Sequence, residues 1–382
     1  MGFYITPAGA EAIKKYKYSG SDLSYYFRYV LTPMNVRLVE WLPVWLAPNV
    51  ITVAGLCFLL VALALSVFFS PSLESPLPSA LYVYIAFAQF AYQTLDNLDG
   101  RQARRTDNSS PLGLLCDHGS DALAVTVLTL VLAAVVRCGG GSAYLVVLWF
   151  ALATPFFFAT WEEYYAGSLV LGVVNGPSDG ILVGMLCALL PAVYGADFWL
   201  QPVHVPGTIT RVVARHWILL GLLVLSVIPT VLSNVHNVAR KRRSLGKGMG
   251  APVRALGPFV LLTASVFVWL RYSTLPLLER HPRAVIGAVG IVFGNIACKL
   301  MLAHLCGHGY KLRRFSLLPL VLAAANSCCG AALVNERVML FVALGFAFVC
   351  WLHFVVVVSW ELTMVLGIRV FFVKPIRKNK AM

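Results

Sequence analysis

The stretch LDNLDGRQARRTDNSSPLGLLCDHGSDAL, residues 95–123, carries five of the 16 acidic residues in the chain. Asp96 and Asp99 lie three residues apart near the end of one predicted helix, and Asp117 and Asp121 lie four residues apart near the start of the next. Residues at these spacings project from one face of a helix. Because the connection is short, the helices are expected to be antiparallel neighbours, and the four carboxylates should converge.

Converging carboxylates need positive charge nearby, because burial and mutual repulsion both disfavour their ionisation. One source is the arginines of the same stretch, Arg101, Arg104 and Arg105, which would then only pair with the aspartates. The other source is bound metal. Ionisable side chains at membrane depth are costly and usually functional, and all-oxygen ligands suit Mg²⁺ or Mn²⁺. Two facing carboxylate pairs indicate two divalent ions.

The composition places this stretch in a membrane protein. Of 382 residues, 59% are hydrophobic and only 12% are charged, whereas about a quarter of the residues in a soluble domain are charged. We therefore exclude a disordered chain, a disulfide-stapled secreted domain and an ordinary soluble enzyme. The predicted fold is all-α, a polytopic integral membrane protein. Ten apolar runs reach about the length needed to cross a bilayer, at 49–69, 80–102, 111–136, 142–162, 180–197, 216–238, 254–270, 284–306, 315–333 and 338–365.

The basic residues predict the topology. With the N-terminus in the cytosol, 22 of the 30 Lys and Arg fall in cytosolic segments and seven on the opposite side, which places both termini in the cytosol. Residues 1–48 mix basic and aromatic side chains and are predicted to be an amphipathic segment at the membrane interface. Residues 49–365 form the membrane domain and residues 366–382 a basic cytoplasmic tail. Topology and anionic headgroups explain the net charge of +14, so no nucleic acid partner is expected.

Residues 96–121 resemble the signature of the CDP-alcohol phosphotransferases. The matching positions are Asp96, Asp99, Gly100, Ala103, Arg104, Gly113, Asp117 and Asp121. In that family the aspartates hold divalent metal ions, and the Gly-Ala-Arg side of the motif faces the cytidine nucleotide. The resemblance therefore implies that all four aspartates are metal ligands. It also implies a nucleotide-binding role for Gly100, Ala103, Arg104 and Gly113.

Three further stretches resemble the eukaryotic choline/ethanolamine phosphotransferase branch of that family: WLAPNVITVAGL, TWEEYYAGSLVLGVVNGPSDGI and LGIRVFFVK. This branch implies transfer of phosphocholine or phosphoethanolamine from CDP-choline or CDP-ethanolamine to diacylglycerol, with release of CMP. It also implies an endoplasmic reticulum or Golgi membrane, an active site open to the cytosol, and a homodimer. Residues 185–280 match nothing recognisable in the branch.

Two residues are candidates for the catalytic base. His118 lies beside the aspartates, and a neutral histidine can take a proton from an attacking hydroxyl near neutral pH. The matching histidine of the branch is a candidate base. Alternatively, His118 orients an aspartate, and Asp121 is then the base.

Two other pairs resemble family elements. Asn49 and Thr52 resemble an element that approaches the nucleotide, although Asn49 could instead be part of a helix-start signal. Glu162 and Glu163 could bind the ammonium head group, because carboxylates with aromatic rings attract such cations. The alternative is an interfacial aromatic belt with solvated acids, which we favour for Glu162, whereas we favour the head-group role for Glu163.

Two other functions remain as alternatives. One is a CDP-alcohol phosphotransferase with another head alcohol, such as inositol, or another lipid acceptor. The other is a cation transporter, which can also cluster carboxylates in its spans. A transporter would typically show paired broken helices near the bilayer midplane and internal symmetry. Here the acids lie near one membrane face, and the two halves of the chain show no visible similarity.

Overall fold

The structure, a computed structural model, describes residues 2–141, 143–205, 211–312, 314–329 and 333–373. Most of these residues are helical, and the α-helices are α1 (Pro7–Lys15), α2 (Thr32–Trp41), α3 (Pro48–Phe69), α4 (Ser79–Arg105), α5 (Pro111–Val135), α6 (Ala143–Ala166), α7 (Ile181–Tyr194), α8 (Arg215–Gly221), α9 (Ile228–Ser244), α10 (Gly250–Ala255), α11 (Gly257–Tyr272), α12 (Leu277–Arg280), α13 (Pro282–Leu305), α14 (Leu318–Ser327) and α15 (Glu336–Leu366). The short strands are β1 (Gly20–Asp22), β2 (Leu169–Leu171), β3 (Pro202–His204) and β4 (Arg211–Val213). β1 pairs with β2 in parallel, and β3 pairs with β4 antiparallel.

The all-α membrane architecture is confirmed. Each of the ten predicted spans coincides with a helix or with helices that run on directly from one another. Eight such segments in the described residues are long and apolar enough to cross a membrane. α4 has the length, with 27 residues, but its final turns are polar. The ninth prediction was too long, because the apolar helix there covers only Phe315–Ser327.

The helices that carry the aspartates lie at the centre of the packing. α4 packs between α3 and α7, while α5 packs against α3, α6 and α13. α13 approaches α5 closely at Gly290, where a Cβ atom would collide with the side chain of Thr126. A small residue at this point brings the two helices together without lipid or water between them.

The polar end of α4 is fixed to the segment that precedes the first span. Arg105 donates to the backbone oxygens of Val39 and Leu42, at 2.6 and 2.7 Å. Gln102 donates to the backbone oxygen of Pro43 at 2.9 Å. These bonds hold the end of α2 against the helix that bears the first aspartate pair.

The same N-terminal region exposes aromatic rings. Trp41 is 81% exposed and Trp45 is 73% exposed. Exposed tryptophans beside a span are typical of side chains that lie at a membrane interface. The interfacial position of residues 1–48 stays a prediction.

The last turns of α15 bind the start of the chain. Glu361 is buried, and its carboxylate accepts hydrogen bonds from the backbone N–H groups of Phe3, Tyr4 and Ile5; the bond from Ile5 measures 2.8 Å. A carboxylate that accepts several backbone N–H groups forms charge-assisted bonds, which are stronger than neutral ones. We call residues 2–16 the N-terminal arm.

The chain turns back where α15 ends. Gly367 has a φ of +62°, and its N–H bonds to the oxygen of Thr363. This left-handed cap suits glycine, which has no Cβ to clash. The following residues run along the surface of the helix bundle, and we call residues 367–373 the C-terminal strap. Residues 374–382, the rest of the predicted basic tail, lie outside the described residues.

The Glu361 contacts generate a prediction. Replacing Glu361 by Ala removes a buried acceptor, and losing a hydrogen bond to a charged group costs about 1.5–3 kcal/mol. We expect the amides of residues 3–5 to exchange with deuterium at least about tenfold faster, measured by mass spectrometry in detergent. Glu11→Ala is the control, since Glu11 is an exposed arm residue that pairs with Lys14 at the surface. Unchanged exchange of these amides in Glu361→Ala would contradict the role of Glu361 as the acceptor that holds the N-terminal arm.

Candidate active site

A cavity of about 930 Å³ lies between α4, α5, α6, α7 and α9. Most of the predicted site residues line this one cavity: Asn49, Thr52, Asp96, Asp99, Gly100, Ala103, Arg104, Gly113, Asp117, His118 and Asp121. The structure thus brings together the metal-ligand, base and nucleotide residues predicted from the sequence. Glu162 and Glu163 do not belong to the cavity lining that the described residues form.

Three of the four aspartates form a compact group. Asp96, Asp99 and Asp117 each offer a carboxylate oxygen, and these atoms lie within 4.8 Å of one another. Asp96 Oδ1 is buried and has no hydrogen-bond partner among the described residues. A buried, unpartnered carboxylate oxygen is costly, and a divalent cation at this point would satisfy it. The chemistry of the donor set therefore fits a hard metal ion.

Asp121 differs from the other three aspartates. It also lines the cavity, but it lies outside the group that could hold a single ion, and its Oδ1 accepts a hydrogen bond from the hydroxyl of Tyr92. The sequence did not single out Tyr92. A signal was present, because Tyr92 precedes Asp96 by four residues and so shares its helix face.

The arginines beside the aspartates form no ion pair with them in the described residues. Among the described residues, the ion pairs do not join Arg101, Arg104 or Arg105 to a carboxylate of the cluster. Arg105 instead bonds to the backbone of the α2 segment. The described structure therefore does not support the alternative in which these arginines only pair with the aspartates.

The two residues of the first span have different contacts. Thr52 is buried and donates a hydrogen bond to Asp99 Oδ2, which orients that carboxylate. Asn49 Nδ2 donates to the backbone oxygen of Val370 in the C-terminal strap, at 2.7 Å. Asn49 does not cap α3 with its side chain, because the N-cap position is Ala47. α3 does begin at Pro48, as a helix-start signal at Pro48 and Asn49 predicts, although Asn49 provides no side-chain cap. The nucleotide role of Asn49 and Thr52 stays a prediction.

His118 faces away from solvent and towards α6. Its Nε2 atom lies 3.3 Å from Glu163 Oε2, and both residues are buried. A carboxylate at this distance stabilises the protonated imidazole and fixes the ring orientation. The sequence could not show this pair, since the residues are 45 positions apart and meet only because α5 packs against α6.

The prediction for Glu162, the residue before Glu163, was wrong. Glu162 is 1% exposed, so it is not a solvated acid of an aromatic belt. Its Oε1 accepts a hydrogen bond from Asn237 Nδ2 of α9, at 2.9 Å. This bond joins α6 to α9 at the end of the cavity wall. The expectation of solvated acids failed because α9 covers this face of α6.

The loop after α6 covers one side of the cavity. β1 and β2 both line it, and Asp22 of β1 accepts hydrogen bonds from Asn175 Nδ2 at 2.9 Å and from Ser178 Oγ at 2.6 Å. Gln93 of α4 donates to the backbone oxygen of Ser178 at 2.9 Å. These contacts fix the loop against the helix that carries Asp96. The sequence had no local signal for them, because they join three distant segments.

The cavity changes character along its length. Near the aspartates its lining is polar, whereas further along α5 and α6 it is lined by aliphatic side chains, including Leu128, Leu132 and Leu152. A cavity with one charged end and one apolar end suits one substrate that has a charged part and an apolar part. It also suits a charged substrate and an apolar substrate bound side by side.

The sequence matches known proteins in the region that builds this site. Residues 45–171 match the CDP-alcohol phosphatidyltransferase family. Choline/ethanolaminephosphotransferase 1 of Arabidopsis thaliana is 37% identical over 386 aligned residues, which cover 96% of this chain and 98% of that protein. The chain belongs to the CDP-alcohol phosphatidyltransferase family. Choline/ethanolaminephosphotransferase 1 of Saccharomyces cerevisiae is 29% identical, covering 82% of this chain and 81% of that protein. Ethanolaminephosphotransferase 1 of Mus musculus is also 29% identical, and the alignment covers 86% of this chain and 84% of that protein.

Membership of the CDP-alcohol phosphatidyltransferase family confirms the resemblance found in the sequence. The family match spans α3 to β2 and contains every predicted metal and nucleotide residue. It ends before α7, α9 and the C-terminal strap, which complete the cavity. The chain is thus an integral membrane protein of this family whose site is built partly from residues outside the matched region.

The aspartate group generates a prediction about metal binding. Asp99→Asn and Asp117→Asn each remove a negatively charged ligand, so we expect Mn²⁺ affinity to fall at least about tenfold. The electron paramagnetic resonance signal of free Mn²⁺ reports this affinity without turnover. Asp107→Asn is the matched control, because Asp107 comes from the same stretch, lies outside the cavity lining and has a φ of +53° that asparagine tolerates. Wild-type Mn²⁺ affinity in both cavity variants would contradict the metal assignment.

Proposed function

We propose that this protein transfers phosphocholine or phosphoethanolamine from CDP-choline or CDP-ethanolamine to diacylglycerol and releases CMP. The observation that carries the proposal is the single cavity in which Asp96, Asp99 and Asp117 converge at one end and apolar side chains line the other. The charged end suits a nucleotide diphosphate held by metal, and the apolar end suits a lipid acceptor. The names of the Arabidopsis and yeast relatives support the same transfer.

The aspartates would hold the metal. Asp96, Asp99 and Asp117 offer the oxygens for one Mg²⁺ or Mn²⁺ ion, and Asp121 is the further carboxylate for a second ion. When bound, the ions neutralise the diphosphate and stabilise the charge on the departing CMP. Thr52 holds the Asp99 carboxylate in place through its hydroxyl.

His118 takes the proton in this mechanism. The hydroxyl oxygen of diacylglycerol attacks the phosphorus that bears choline or ethanolamine, and the bond from that phosphorus to the oxygen of CMP breaks. The hydroxyl proton passes to His118, and the carboxylate of Glu163 then stabilises the imidazolium. Asp121 is the less suitable base, since the Tyr92 hydroxyl already donates to it. In this assignment Glu163 acts through His118 and not on the head group.

The proposal includes the setting of the enzyme. Both termini and the aspartate end of the cavity face the cytosol, where the CDP-alcohol is dissolved, and diacylglycerol enters from the bilayer. The membrane is that of the endoplasmic reticulum or Golgi, and the protein is a homodimer. Residues 1–48 lie at the interface, residues 49–365 form the membrane domain, and the basic residues after 373 remain cytosolic.

The other functions have less support. A cation transporter is not favoured, because two Arabidopsis relatives that align over 96% of the chain are named choline/ethanolaminephosphotransferases. Another head alcohol within the family is less supported, because the named relatives that match over most of the chain carry choline or ethanolamine in their names.

An assay of the purified protein tests the function. CMP release is measured with CDP-choline or CDP-ethanolamine, with Mg²⁺ or Mn²⁺, and with diacylglycerol present or absent. We expect CMP release and a phospholipid product only when diacylglycerol is present, and no CMP release from CDP-diacylglycerol with free inositol. CMP release from CDP-diacylglycerol and inositol, with none from either CDP-alcohol and diacylglycerol, would replace this proposal by the alternative within the family.

The role of His118 as the base generates a prediction about turnover. His118→Ala should lower kcat by about 10²–10⁴, the usual contribution of a general base, and leave the KM for the CDP-alcohol nearly unchanged, since metal still binds the diphosphate. Glu163→Gln removes the charge that stabilises the imidazolium and should lower kcat by a smaller factor.

The same measurements separate the two candidate bases. Near-normal kcat in His118→Ala would make Asp121 the base. A normal kcat reached only at much higher Mn²⁺ concentration would show that His118 orients Asp117 instead. Glu162→Gln is the matched control for Glu163→Gln, because it changes the adjacent buried glutamate, which bonds to Asn237 and not to His118.

The proposed topology generates a prediction about cysteine labelling. Single cysteines near residues 105 and 245 should react with a membrane-impermeant maleimide from the cytosolic side of sealed microsomes. Cysteines near residues 205 and 275 should react only after the membrane is permeabilised. Labelling of residue 105 from the lumenal side would contradict both the topology and the entry of the CDP-alcohol from the cytosol.

A further inference from the structure

We propose that the C-terminal strap is part of the active site and that Arg369 binds the phosphate groups of the CDP-alcohol. This inference rests on the proposed function, because it names a further residue for the same nucleotide substrate. Ile368, Arg369, Val370 and Phe372 of the strap line the cavity, almost 200 residues beyond the end of the family match.

The strap reaches the cavity because of the way in which α15 ends. The N–H groups of Gly367 and Ile368 both bond to the oxygen of Thr363, and the left-handed conformation of Gly367 reverses the chain. Without this reversal, the residues after Leu366 would continue along the axis of α15 and away from α5. The turn therefore directs the strap across the bundle.

Side-chain contacts then hold the strap in place. The Asn49 amide donates to the backbone oxygen of Val370 at 2.7 Å. Ile368 and Val370 pack against a buried cluster that includes Leu112 and Leu115, in the first turns of α5. The strap is thus fixed by one buried polar side chain and by apolar contacts.

The anchor lies at the positive end of a long helix. A Cβ atom on Gly113 would lie 3.6 Å from both Asn49 Oδ1 and Ser110 Oγ, so the Asn49 amide lies beside the start of α5. Ser110 is the N-cap of this 25-residue helix. The N-terminus of a helix favours anions, and the strap places an arginine in the same region.

Few of the described basic side chains line the cavity, and Arg369 is one of them. Of the lysines and arginines that the structure describes, Arg104 and Arg369 are the two that line the cavity. The Arg369 guanidinium is exposed, lies 5.6 Å from the centre of the Phe372 ring, and joins none of the ion pairs found in the described residues. A guanidinium fork matches phosphate oxygens in a bidentate manner. Arg369 is therefore free to bind a diphosphate that enters from the cytosol.

Steady-state kinetics test the proposal. Arg369→Ala should raise the KM for the CDP-alcohol about tenfold, as expected for a lost charge-assisted hydrogen bond, with kcat within about twofold of wild type. Arg369→Lys should recover part of this loss. Asn49→Ala should raise the same KM, because it releases the strap.

The control and the contradicting results are distinct. Arg337→Ala, which removes an exposed arginine at the other end of α15, should leave both constants unchanged. A KM for Arg369→Ala within twofold of wild type, or a fall in kcat alone, would each overturn the proposal. Failure of the proposed function looks different, because the wild-type protein itself would then release no CMP from either CDP-alcohol.

Discussion

The mutual repulsion of carboxylates held together inside a membrane protein is the constraint on which the rest of this structure depends. α4 and α5 each present a pair of aspartates, and three of these acids bring oxygens within 4.8 Å of one another. Such a group is unstable without cations, and the ion pairs found in the described residues do not join the neighbouring arginines to these carboxylates. The fold is therefore suited to holding metal ions and, through them, an anionic substrate.

The sequence predicted the parts of the site that depend on local spacing. Asp96 and Asp117 were identified because their helical positions and the short connection between their helices determine where they point. Contacts between distant segments could not be predicted in this way. The approach of His118 to Glu163 depends on how α6 packs against α5, and Asp22 meets Asn175 only in the folded chain. Periodicity within one helix carries no information about which helix lies opposite.

The N-terminal arm and the C-terminal strap both meet the end of the same helix, α15. Glu361 binds the backbone of the N-terminal arm, and Gly367 turns the C-terminal strap towards Asn49. The segment shared with the family supplies the aspartates, while β1, the later helices and the C-terminal strap close the cavity around them. This division explains why the motif identified the chemistry from the sequence, whereas the cavity wall was visible only in three dimensions.

The central claim is that the aspartate group holds divalent metal beside the nucleotide, and anomalous diffraction from crystals grown with Mn²⁺ and CDP-choline tests it most directly. The account predicts an anomalous peak bounded by the carboxylates of Asp96, Asp99 and Asp117, with the diphosphate of the nucleotide against it. The claim would be contradicted by a map in which the nucleotide occupies the cavity and no anomalous peak lies among these three carboxylates.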